Sequence, residues 1–273
     1  MSLLLYKDDL DELYATYNRR EFVHPDPLAF LYGYGRQRDR EVVGLVAASL
    51  AYGRVAQIMR SIASILDRMG SSPLLFLMNA TQGKLLSTFR DFRHRFTSGT
   101  DIAFLLWSAR EAVDRYGSLH ECFQAGLSQS DETVLPALST FVRALRLPAS
   151  GCRRGFLPSP DDGSACKRWN LFLRWMVRRD DVDPGGWTGV PPSRLIVPLD
   201  THMHRIALSL GLTSRRQADG RTALEITRAF REVAPEDPVR YDFVLTRLGI
   251  RKDLPQVHLP WAPSWVQGGE DTS

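Results

Sequence analysis

The chain has 273 residues, 44% hydrophobic and 24% charged, with a formal charge of +4. That is the balance of a soluble globular protein able to bury one large core or two small lobes, and it permits a polyanionic partner without requiring one. Three widely spaced cysteines, Cys122, Cys152 and Cys166, form no CxxC pair, zinc set or disulfide framework, and no apolar run suits a signal peptide or a membrane span, so a cytoplasmic protein is expected.

Apolar residues recur at helical spacing throughout, which predicts an all-α chain. Residues 8–20 read as a short amphipathic helix closed by His24-Pro-Asp-Pro27. Residues 38–51 are apolar nearly all round and are expected to form a central buried helix, stopped at Tyr52-Gly53-Arg54. Residues 55–69 place Ile58, Met59, Ile62, Ile65 and Leu66 on one face. Further helices are expected over 101–116, 118–125 and 132–146. Between 147 and 163, prolines and glycines break any helix. Helices are then expected over 164–179, 200–211, 222–233 and 235–248, with a loop over 180–192. One large domain and two lobes both remain open; a division in two would set a central helical lobe of about 36–146 against a second built from 1–35 plus 147–260, with 261–273 as a tail.

The basic residues are almost all arginine; the lysines are Lys7, Lys84, Lys167 and Lys252. Lys167 starts a helix beside Arg168, and Asp200 starts the next. An amine can attack a sugar C1′ only when unprotonated, which burial in a base pocket promotes. A carboxylate nearby suits an oxocarbenium-like sugar. The pair therefore suggests Schiff-base chemistry on DNA. The plainer alternatives are a surface lysine and an aspartate that only caps its helix.

His202 and His204 lie two apart and do not share a helix face, so no metal and no cofactor is expected. His202 is expected near the pocket, and His204 outward or toward DNA. Trp169 and Trp175 read as core residues. Trp261 and Trp265 stand among the prolines of the tail, where a packing role is open to them. Tyr52-Gly53-Arg54 reads as a helix stop with a capping glycine. Arg143, Arg146, Arg153, Arg154, Lys167, Arg168, Arg174, Arg178 and Arg179 form a dense basic stretch, either a phosphate-binding face or a solvated one.

The run Leu195-Ile-Val-Pro-Leu-Asp-Thr-His-Met-His-Arg-Ile-Ala207 resembles the signature of the helix-hairpin-helix DNA glycosylase superfamily. There a Val/Leu-Asp-x-His run begins a helix, and the lysine lies on the second helix of the hairpin, where Lys167 falls. The spacing, 200 − 167 = 33, is similar to that of the archaeal 8-oxoguanine glycosylase branch, and the whole chain looks closest to a bacterial group of that type without an established function. The usual Pro-Gly-Val-Gly hairpin is absent; Pro158-Ser-Pro-Asp-Asp-Gly163 stands in its place. The four-cysteine iron–sulfur motif is also missing.

The resemblance implies a two-lobed all-α glycosylase fold acting on duplex DNA with a damaged base, 8-oxoguanine above all, flipped into the interlobe cleft. It implies Lys167 as nucleophile and Asp200 as activator and charge stabiliser, in a monomeric bifunctional glycosylase and AP lyase. The base pocket would include Tyr52, Arg54, His202, Trp261 and Trp265. The DNA backbone would meet Arg153, Arg154, Ser159, Gly163, Ser164 and Arg168. A non-catalytic nucleic-acid binder on the same fold, or a helical scaffold, remains the alternative.

Overall fold

The computed structural model describes residues 3–148, 151 and 155–250. Among them are twelve α-helices and one two-stranded hairpin. In chain order these are α1 (Lys7–Tyr17), α2 (Gln37–Ser49), α3 (Val55–Met69), α4 (Pro73–Asn79), α5 (Gln82–Thr88), the strands β1 (Arg93–His94) and β2 (Thr97–Ser98), then α6 (Gly99–Tyr116), α7 (Leu119–Gln124), α8 (Leu135–Arg146), α9 (Lys167–Val177), α10 (Thr201–Ser209), α11 (Gly220–Val233) and α12 (Asp242–Ile250). No helix among the described residues is long and apolar enough to cross a membrane.

The helix expected over 55–69 has those bounds. The one expected over 235–248 begins only at Asp242, because Ala234 to Asp242 closes a series of tight turns around Pro235 and Pro238. The helix expected from 132 begins at Leu135, with Pro136 in the first turn, where its missing N–H costs nothing. Two helices were not anticipated. Each of α4 and α5 has 7 residues, too short to show a period, and each is started by a side-chain cap from Ser72 or Thr81.

The central helix is α2. Val42, Val43, Leu45 and Val46 are wholly buried, and the helix crosses α9 closely. Gly44 permits that approach: a Cβ there would lie 3.2 Å from the Phe172 ring of α9. Two acids on α2 are buried but satisfied. Asp39 accepts from the Ser72 hydroxyl and the Leu74 N–H at 2.9 Å each. Glu41 accepts from the Leu119 N–H and the Trp187 indole at 3.0 and 3.1 Å.

Beneath α9 lies a buried ionic cluster. Arg174 and Arg178, one turn apart, share a face and turn inward rather than to solvent. Arg174 pairs with Asp183 at 3.1 Å and with Asp242 of α12 at 2.5 Å. Arg178 pairs with Asp180 and Asp237 at 2.8 Å each, and with Asp183. Tyr14 of α1 donates to Asp180 at 2.8 Å. Burial opposes charge on Arg174 and Arg178, yet Asp183 and its fellow carboxylates outweigh it and push both pKa values further up. These two arginines thus leave the basic stretch that the sequence offers to phosphate. Arg143 and Arg146 are also engaged, with Asp161 at 3.5 Å and with Asp162.

Asp183 is fully buried and serves both guanidiniums. Asp183→Asn leaves two buried cations short of a shared anion, a class of change that costs about 3–5 kcal/mol. The expected result is a clearly lowered urea midpoint; an unchanged midpoint contradicts this account of the cluster.

Candidate active site

Lys167 and Asp200 meet at the end of α2. Lys167 is the first residue of α9 and Asp200 is the N-cap of α10. The Nζ of Lys167 lies 3.7 Å from Asp200 Oδ2 and donates to the Ala51 carbonyl at 3.2 Å. The neighbouring Arg168 donates to the Ser49 carbonyl at 3.0 Å and to the Phe156 carbonyl at 2.9 Å. Two cations thus satisfy carbonyls at the C-terminal end of α2, a stabilising arrangement in its own right.

Asp200 divides its two oxygens between tasks. Oδ1 accepts from the Met203 N–H at 2.8 Å, closing the first turn of α10. Oδ2 faces Lys167. The cap and the pair are therefore not alternatives; one carboxylate does both. Fractional exposures of 31% for the Lys167 side chain and 19% for Asp200 keep both in reach of a ligand.

Both residues line a cleft of about 550 Å³. One wall comes from Tyr52, Gly53 and Val55, where α2 ends and α3 begins; the other comes from Leu199 and His202. The floor is formed by Trp175, Asp242 and the Asp26–Arg247 ion pair. Three buried polar atoms of cleft-lining residues have no hydrogen-bond partner: Trp175 Nε1, Asp242 Oδ1 and His202 Nδ1. Buried polar groups are ordinarily satisfied, so unsatisfied ones on a cleft floor suit a polar ligand edge. Burial pushes the Asp242 carboxyl up to about 6, against the pull of Arg174 and reinforced by the charge of Asp200. A second hollow, of about 490 Å³, shares Ala51, Tyr52, Lys167 and Leu199 with the first and runs past Gly163, Ser164 and Arg168.

Of the residues expected in the base pocket, Tyr52 and His202 line the cleft. Arg54 does not; it is exposed at the N-cap of α3. His204 is half-buried and donates to the Arg215 carbonyl at 2.8 Å, holding a loop rather than facing outward. Trp261, Trp265, Arg153 and Arg154 lie outside the described residues. Ser159 is buried, and its hydroxyl accepts from the Asp161 N–H at 3.3 Å. It caps the short turn Pro160–Asp162, which ends at the left-handed Gly163. The Gly163 carbonyl then accepts from the Gly220 N–H at 3.0 Å. The segment standing for the hairpin is thus docked onto α11, and Gly163, Ser164 and Arg168 border the second hollow. Cys166, beside Lys167, stays a thiol because burial pushes it up to about 11.

Asp242 and Arg247 escaped the sequence reading, and Trp175, expected in the core, is buried there and also lines the cleft. The available signal was an acid inside an apolar run, Tyr241-Asp242-Phe243-Val244-Leu245. Only assembly shows that it faces a cleft. No group of three or more His, Cys, Asp or Glu among the described residues is disposed to hold a metal ion.

A family model described as a protein of unknown function (DUF2400) matches residues 26–251. The chain belongs to that family. No curated protein and no solved structure matches the chain.

The position of Asp242 gives a pH signature. Its folded pKa, about 6, lies above that of an unfolded aspartate, about 3.9. Between those values the folded chain keeps a proton that the unfolded chain has lost. This stabilising contribution is therefore complete below about pH 4 and is lost as pH rises through about 6. Thermal melting from pH 4 to 7 is expected to show that decline in the native chain and a flatter profile in Asp242→Asn. Parallel profiles would argue against a buried, protonatable Asp242.

Proposed function

We propose that this member of the DUF2400 family is a DNA glycosylase with AP-lyase activity, working through a Schiff base on Lys167. The observation that carries the reading is the pairing of Lys167 Nζ with Asp200 Oδ2 at 3.7 Å inside a cleft of about 550 Å³. Such a volume suits an extruded nucleotide, since ligand sites commonly span about 300–1,000 Å³. The extruded base and sugar would displace water around Lys167, weakening the hydration that favours its charged form.

In this reading the unprotonated amine attacks C1′ of the deoxyribose. The C1′–base bond breaks, and the base leaves with the bonding electrons and takes up a proton. Asp200 stabilises the positive charge that develops on the sugar and on the lysine nitrogen. The C1′–O4′ bond then breaks, O4′ taking a proton from solvent, and the ring-opened iminium on Lys167 acidifies the C2′ hydrogen; loss of that proton expels the 3′ phosphate with its bonding electrons by β-elimination. On the floor, Asp242 Oδ1 offers an acceptor and Trp175 Nε1–H a donor. A guanine-type lesion such as 8-oxoguanine presents ring N–H and amino donors beside carbonyl acceptors, and suits that floor better than a pyrimidine with fewer donors. The substrate is duplex DNA and the chain acts as a monomer.

The second reading is a nucleic-acid binder without catalysis. It is favoured by the structural duties of the same residues, because Lys167 holds the Ala51 carbonyl and Asp200 caps α10. Substitutions that keep those duties separate the readings. Lys167→Gln retains a donor for Ala51, and Asp200→Asn retains a capping oxygen. Borohydride is expected to trap the native chain on an 8-oxoguanine duplex, with no adduct for Lys167→Gln. Asp200→Asn is expected to lower excision by at least 100-fold, about 2.7 kcal/mol of transition-state stabilisation, while melting within a few degrees of the native chain. Trapping that persists in Lys167→Gln moves the nucleophile elsewhere. Wild-type turnover in Asp200→Asn leaves the aspartate only a cap.

A further inference from the structure

The short helix α4 opens with six successive apolar residues, Pro73-Leu-Leu-Phe-Leu-Met78. A helix of that composition is ordinarily covered on every side. Pro73 and Leu77 are buried, but Leu75 is 61% exposed, and Leu74 and Met78 are half-buried. These last three line a hollow of about 440 Å³ between α4 and the first turn of α2. The apolar surface continues onto α6. Arg110 donates from Nε to the Met78 carbonyl at 3.4 Å, and its guanidinium lies 4.9 Å from the ring centre of the half-buried Trp107. Tryptophan, methionine and arginine together are the composition of the centre of a protein interface.

The charge beside the hollow is positive. Arg36 and Arg38 line it and are exposed, and neither has a carboxylate partner among the described residues. Arg38 donates only to the Gly117 carbonyl. The one acid that lines the hollow, Asp39, is buried and spends Oδ1 on the Ser72 hydroxyl and the Leu74 N–H. On α6, Glu111 and Asp114 are held by Arg110 at 3.2 and 3.3 Å. Two exposed cations thus stand over an apolar hollow with no exposed carboxylate lining it.

The fold sets this hollow at the far end of α2 from Lys167. The cleft meets that segment at Ala51, and the hollow meets it at Arg36 to Asp39. At a rise of about 1.5 Å per residue the two lie about 20 Å apart, so both can be filled at once.

We propose that the hollow docks an acidic segment of a partner protein: one large apolar side chain of that segment enters between Leu74, Leu75 and Met78, and its carboxylates meet Arg36 and Arg38. Charge complementarity selects this occupant. A second copy of the chain on the same face sets Arg36 and Arg38 against their own equivalents, because a two-fold interface brings like patches together. A nucleic-acid backbone satisfies the arginines but leaves three apolar side chains uncovered. An acidic peptide with an apolar anchor meets both demands. The inference is independent of the chemistry assigned to the cleft.

The test selects random peptides displayed on phage against the immobilised full chain, then measures the selected peptides as fluorescent synthetic probes. The enriched sequences are expected to carry aspartate or glutamate beside a leucine, methionine or aromatic residue. Leu75→Ala is expected to weaken their binding about tenfold, the scale of an anchoring contact, with an unchanged melting temperature because Leu75 is exposed. Arg36→Glu with Arg38→Glu is expected to weaken it as well and to reverse the charge preference. The same peptide with lysine in place of its acids then binds that variant better than it binds the native chain. Lys167→Gln is expected to bind the peptides as the native chain does. Enriched peptides without acids, no shared pattern among them, or binding that survives both hollow variants overturns the proposal. Duplex DNA that displaces the peptides and loses its own affinity in the double arginine variant also overturns it, making the face a nucleic-acid surface. Self-association abolished by Leu75→Ala overturns it in favour of a second copy.

Discussion

The structure depends on a single carboxylate shared by two arginines. Asp183 is wholly buried and holds Arg174 and Arg178 together on one face of α9. Like charges one helical turn apart would otherwise repel. Through Arg174 the cluster reaches Asp242 of α12, and through Arg178 it reaches Asp237 and Asp180. Tyr14 of α1 joins by donating to Asp180. Helices from both ends of the chain are thereby fixed around α9. Charges removed from water must be paired this completely, because the desolvation penalty is recovered only when every partner is in place. The cluster specifies a position for α9, and α9 begins with Lys167.

A second constraint acts from above. The C-terminal carbonyls of α2 receive Lys167 and Arg168. Helix ends leave carbonyls without intrahelical partners, and the start of α9 supplies the donors. Lys167 is held between that end and Asp200, whose second oxygen closes α10. Three helix termini therefore converge at one point: the end of α2 and the starts of α9 and α10. The amine is tethered there by one hydrogen bond and one ion pair.

Among the described arginines of the densest basic sequence, Arg174 and Arg178 turn inward and Arg143 and Arg146 meet Asp161 and Asp162. Arg54, the N-cap of α3, and Arg93 and Arg95 of the hairpin are exposed. Residue density along a chain measures charge before folding; exposure after folding decides which charges a polyanion can meet.

Helical periodicity alone determined that the chain is predominantly helical, that residues 42–48 are core, and that 55–69 form one helix, because a 3.6-residue period over several turns is set by local geometry. The run ending in Asp200-Thr-His202, together with a lysine at a helix start, singled out Lys167 and Asp200, whose meeting at 3.7 Å the fold supplies. Tertiary structure alone decided the rest. It assigned Arg174 and Arg178 to the interior, since a helix face carries no label for which neighbour covers it. It brought Asp242, 42 residues beyond Asp200, to the cleft floor. It also set His94 under Tyr52 and left Phe96 exposed beside them. A two-residue strand pair is too short for any period to reveal; its place is fixed by hydrogen bonds to residues 33 and 42 positions away in sequence.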